Sequence, residues 1–91
     1  MSRVSSFSHD LSSWVEGNPL RKWRSSNSEH FTQAAVAAAI RRSAQAVRDY
    51  ESGSYRPGEG AMDDIALLIG VAPKTLKKRW AEWMENRPNA A

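Results

Sequence analysis

Two stretches of helix-forming sequence with only three residues between them constrain this chain more than any other feature. Residues 33 to 40, Gln-Ala-Ala-Val-Ala-Ala-Ala-Ile, are rich in the strongest helix former, and Val36, Ala37 and Ile40 fall on one face. Residues 44 to 52 give a second helix, in which Val47 and Tyr50 lie three apart on the inner side. Ala44, Gln45, Arg48, Asp49 and Ser52 are then left outward. Thr32 and Ser43 are of the type that caps a helix N-terminus, and Gly53 is of the type that stops one. The link Arg41-Arg42-Ser43 is so short that the two helices must cross steeply. Ala37 sits at the crossing, where a larger side chain would push the helices apart.

Three more helices follow from the same reasoning. Asn18 caps the first, with Pro19 at the first helical position and Leu20 and Trp23 pointing inward. The polar stretch from Ser25 to His30 ends it. After the turn Tyr55-Arg56-Pro57-Gly58, a fourth helix carries Met62, Ile65, Ala66 and Ile69 and is closed by Gly70. Ala72-Pro73 restarts the chain into a fifth, whose Leu76, Trp80, Trp83 and Met84 form one stripe opposite Lys78, Glu82 and Glu85. No strand pattern and no internal repeat occurs. Residues 1 to 17 contain six serines and no sustained period, and read as a flexible arm. Within it, Leu11, Trp14 and Val15 have the spacing of one short amphipathic turn able to dock on the domain or on a partner. The expectation is an all-α, five-helix domain over residues 18–87, with an arm at 1–17 and a tail at 88–91.

A chain of 91 residues holds one modest core. Cysteine is absent, which excludes disulfides and thiolate metal sites. His9 and His30 are isolated in polar segments without a paired carboxylate at helical spacing, and no glycine-rich phosphate loop occurs. The sequence therefore predicts no enzyme, no metal and no cofactor. No apolar run suits a membrane span or a secretion signal, so a soluble cytoplasmic protein is expected. The net charge of +3 comes from 13 basic against 10 acidic residues, so placement matters more than total.

Taken in order, Pro-Leu-Arg-Lys-Trp-Arg at 19–24, Phe-Thr-Gln at 31–33, Ala37, Ser43 to Tyr50, Glu-Ser-Gly at 51–53, Pro57 and Asp64 to Val71 resemble the Cro and lambdoid-repressor type of helix-turn-helix, also called Xre-like. The resemblance covers roughly Pro19 to Trp83 and implies a lambda-repressor-like DNA-binding domain. It implies a transcriptional regulator, commonly a repressor, that binds a palindromic operator as a homodimer, and it associates the chain with phages, plasmids and integrative elements. It places Ala44, Gln45, Arg48 and Asp49 against base edges in the major groove. There Gln45 suits adenine, Arg48 guanine or a phosphate, Asp49 a cytosine amino group, and the Ala44 methyl a thymine methyl. Thr32, Gln33, Arg41, Arg42, Ser43 and Arg56 are placed near phosphates, and Glu51 is implied to pair with Arg24 as a structural element. The chain departs from the family pattern in a longer link before the second helix, in Arg41 where glycine is common, and in Arg42 where an apolar residue is usual.

A second reading stands beside this one, because fold does not fix function. Four tryptophans are many for this length. Trp80, Trp83 and Trp14 would then form a dimer or partner surface, as in a protein-binding antiactivator or antitoxin.

Overall fold

The computed structural model describes residues 13–27 and 31–88. His9, Leu11 and His30, most of the serine-rich arm and the end of the tail lie outside them. Among the described residues there are six helices and no strand: α1 (residues 13–16), α2 (Pro19–Ser26), α3 (Gln33–Ile40), α4 (Ala44–Ser52), α5 (Glu59–Ile69) and α6 (Pro73–Glu85). The all-α expectation stands, but the count of five is corrected to six. The extra helix is a single turn inside the segment read as an arm. None of these helices is long and apolar enough to cross a membrane.

The helix ends are set by the residues that sequence reasoning named. The Asn18 side-chain oxygen accepts from the Leu20 and Arg21 N–H groups at 3.0 and 2.9 Å, and Pro19 opens α2. The side-chain oxygens of Thr32 and Ser43 accept from Ala35 N and Ala46 N, both at 3.1 Å, capping α3 and α4. Asn18 is fully buried, and its amide also donates to the Tyr50 carbonyl at 3.3 Å, tying the start of α2 to the end of α4. Each cap satisfies an otherwise orphaned backbone donor, worth about 1 kcal/mol.

Between α3 and α4 the chain reverses through Arg41, a non-glycine residue in the left-handed region (φ 59°). That conformation costs an L-residue roughly 1–2 kcal/mol. It is held by hydrogen bonds from Arg41 N to Ala38 O at 3.3 Å and from Arg42 N to Ala37 O at 2.9 Å, which close the end of α3. Ala37 is buried in one cluster with Val36, Ile40 and Val47, where α3 packs on α4. These residues join Leu20, Met62, Ile65, Ala66, Leu76 and Trp80 in one core. Trp80 is fully buried, and its indole N–H finds no acceptor among the described residues.

Two further tryptophans close the domain from behind. Trp14 of α1 and Trp83 of α6 stack with ring centroids 4.1 Å apart and planes within 3°. Each indole N–H donates to the backbone carbonyl of the other residue, at 2.5 and 2.6 Å. Such a pair contributes about 0.5–1.5 kcal/mol beyond the area it buries. The guanidinium of Arg87 lies over the outer face of Trp14, 5.4 Å from the ring centre. Trp14 also fills the space beside Gly53, the left-handed cap of α4 (φ 82°), where a Cβ would fall 2.6 Å from the indole. Glycine is thus required there twice over, for its backbone and for its lack of side chain. The expectation that Trp14, Trp80 and Trp83 form a dimer or partner surface is corrected. They are 8%, 0% and 7% exposed, and their apolar area is spent inside the domain.

Candidate nucleic-acid interface

The inner side of α4 carries a buried ionic cluster and the outer side an exposed polar row. Arg24 Nε and Nη2 donate to the two oxygens of Glu51, both at 2.9 Å, in a two-point pair that joins α2 to α4. Glu51 is 2% exposed. Its hydrogen bond to Arg24 holds the guanidinium pKa above its ordinary value, against the opposing effect of burial. Gln33, at the start of α3, donates through Nε2 to Glu51 Oε1 at 2.9 Å. Three elements of the domain therefore converge on one buried carboxylate.

That arrangement revises two of the expected phosphate ligands. Gln33 points its amide inward and is committed to Glu51. The sign was in the spacing, since Gln33 precedes Val36, Ala37 and Ile40 by three, four and seven residues and so shares their buried stripe. Arg42 is likewise turned back. Its Nη1 donates to the carbonyls of Ile40 at 3.0 Å and Arg41 at 3.3 Å, and lies 3.7 Å from the Asp64 carboxylate on α5. An arginine in the turn thus takes the place of apolar packing by satisfying carbonyls at the end of α3.

On the outer side, Gln45 and Arg48 are exposed and Asp49 is half-buried. Arg48 Nη2 donates to Gln45 Oε1 at 2.9 Å, and Gln45 Nε2 donates to Asp49 Oδ1 at 3.0 Å. The i, i+3 and i, i+4 spacing of a helix brings the three together. Ala44 is half-buried against the core, so its methyl is only partly presented. Ser43, Gln45 and Asp49 line an open depression of about 350 Å³ with Ala46, Tyr50, Tyr55 and Arg56. Tyr55, 66% exposed, is a wall that sequence reasoning assigned only to a turn.

Arg41, Arg48 and Arg56 are exposed and form no ion pair among the described residues, as is usual for cations kept for an anionic ligand and for cations that are merely solvated. Thr32 is exposed at the tip of α3. The expected set therefore divides. Ser43, Gln45, Arg48, Asp49 and Arg56 gather at or beside one depression, Thr32 and Arg41 lie exposed at the two ends of α3, and Gln33 and Arg42 serve the fold. Among the described residues no group of three or more His, Asp or Glu side chains is arranged to hold a metal ion. Compared with family models, with curated proteins and with solved structures, the chain matches none.

Proposed function

We propose that this protein is a sequence-specific DNA-binding regulator that lays α4 in the major groove of a duplex. The observation that carries the reading is the outward hydrogen-bonded row of exposed Gln45 and Arg48 and half-buried Asp49, on a short helix whose opposite side is locked by the Arg24–Glu51 ion pair. A helix fixed from behind and polar in front can present hydrogen-bonding groups to base edges without paying for their ordering at each encounter. The exposed Arg41 and Arg56, with Thr32 and Ser43, would meet phosphates and set register in this reading. In this reading the domain is of the lambda-repressor type, and a two-fold dimer would match a palindromic operator. The burial of Trp14, Trp80 and Trp83 removes the aromatic surface on which a protein-binding antiactivator or antitoxin would rest.

The test is a fluorescence-anisotropy titration of the DNA upstream of its own coding region and of a scrambled duplex, at two salt concentrations. Binding at least about a thousandfold tighter to the upstream fragment is expected. Equal, weak and salt-sensitive binding to both would sink the proposal. Gln45→Ala should cost about 1–3 kcal/mol on the specific site and little on scrambled DNA. Arg56→Ala should weaken both alike and reduce the salt slope by about one.

A further inference from the structure

The outward row on α4 has a chemical polarity that its exposure alone does not reveal. A carboxylate only accepts hydrogen bonds and a guanidinium only donates them. Asp49 therefore has to face the NH2 of the Gln45 amide, and Arg48 its oxygen, as the distances of 3.0 and 2.9 Å record. Turning the amide over would set NH2 against guanidinium and oxygen against carboxylate, losing both bonds. The order of donor and acceptor along the Gln45 amide is thus fixed in the frame of the helix.

The amide is not exhausted by these contacts. It has two N–H donors and two lone pairs on oxygen, so one donor and one acceptor remain for a ligand. Adenine is the base whose major-groove edge offers one acceptor and one donor side by side, N7 and the N6 amino group. Exchanging A·T for T·A reverses their order along the groove, with the thymine O4 and methyl on the other side. An amide free to flip would follow that reversal. An amide held in one orientation cannot.

We infer that Asp49 is a positioning residue which, with Arg48, orients the Gln45 amide and so dictates on which strand an adenine is read. This rests on the proposal that α4 enters the major groove. It replaces a direct contact of Asp49 with a base by an action through Gln45. It also gives a reason for a carboxylate on a surface meant for phosphates, where its own charge is repelled.

The experiment begins with enrichment of binding sites from a pool of randomised duplexes, using the full chain. Wild type, Gln45→Ala, Asp49→Asn and the double variant Arg48→Met with Asp49→Asn are then titrated against all four base pairs at each step of the enriched site. Asn is close in size to Asp but both donates and accepts, so it imposes no orientation of its own and leaves the amide to Arg48 alone; helical content by circular dichroism checks that each variant folds. Because Asp49→Asn also removes a negative charge, the readout is the ratio of affinities for A·T and T·A, not affinity itself. At the step where Gln45→Ala abolishes discrimination, wild type should prefer A·T to T·A by about tenfold or more. Asp49→Asn should lower that ratio severalfold, and Arg48→Met with Asp49→Asn should bring it close to one, while the preference for adenine over guanine or cytosine at that step remains. An unchanged ratio, or a loss at a different step, overturns the inference and leaves major-groove binding standing. If Gln45→Ala changes no step, both fall together.

Discussion

The same three chemical groups, an arginine, a glutamine and a carboxylate, occur twice around α4, and their fates are opposite. On the inside Arg24, Gln33 and Glu51 come from three helices and meet at a carboxylate that is 2% exposed. On the outside Gln45, Arg48 and Asp49 come from one helix and meet at an exposed amide. Inside, Glu51 is the hub and every bond is needed, because a buried charge that loses its partner has no water to replace it. Outside, water competes with each bond, so the pair adds little to stability; what it sets is the end of the amide that a ligand meets, with one donor and one acceptor left open. Identical groups thus serve as a fastening in one place and as a reader in the other, and burial alone decides which.

The contrast is most severely tested from the inner side. Arg24→Met should destabilise the domain by about 3–5 kcal/mol, read from urea denaturation, because it strands Glu51 in the interior. A loss below about 1 kcal/mol would mean that the inner cluster is no fastening at all. Gly53→Ala comes next, at about 2 kcal/mol or more, since the left-handed backbone and the Trp14 indole both oppose a Cβ. Its near-ultraviolet circular dichroism should lose the signature of the stacked indoles while the helical signal persists below the melting point. Arg41→Gly should act in the other direction, stabilising by about 0.5–1 kcal/mol as the strain at φ 59° is relieved. A loss instead would show that the arginine side chain does more for the turn than its backbone costs. On the outer side, Gln45→Ala should move stability by less than about 0.5 kcal/mol in the same urea series. A larger fall would erase the distinction between the two clusters.

How far the sequence led depended on the range of the information needed. Helix ends at Asn18, Thr32, Ser43, Gly53 and Gly70 were legible because capping is decided within three or four residues. The contact of α3 with α4 was legible for the same reason, since only three residues join them. The Arg24–Glu51 pair, 27 residues apart, was suggested by resemblance and has no local signature. For Arg42 periodicity fixes the direction of Cβ, while the long side chain carries its guanidinium back to the end of α3. For Gln33 the Cβ direction already pointed inward, against the phosphate placement that the resemblance implied. Trp14 was the hardest case. Its surroundings are serine-rich, and its partner carbonyl and ring belong to Trp83, 69 residues away. The outward row of α4 was legible residue by residue, but its internal hydrogen-bond order was not, because that depends on rotamers.

The clasp of Trp14 and Trp83 makes the domain, in effect, a closed loop without a covalent join. Residues near the two extremities of the fold stand in van der Waals contact, so the linear order of the helices is one of several ways to thread the same packing. A chain rearranged to run from α3 through α6 into α1 and α2, with a short flexible join between α6 and α1 and new ends opened between α2 and α3, would keep every interface described above. The link opened in this way runs between Asn27 and Phe31, directly before the Thr32 cap of α3. What such a permuted chain would give up is only the present placement of its ends.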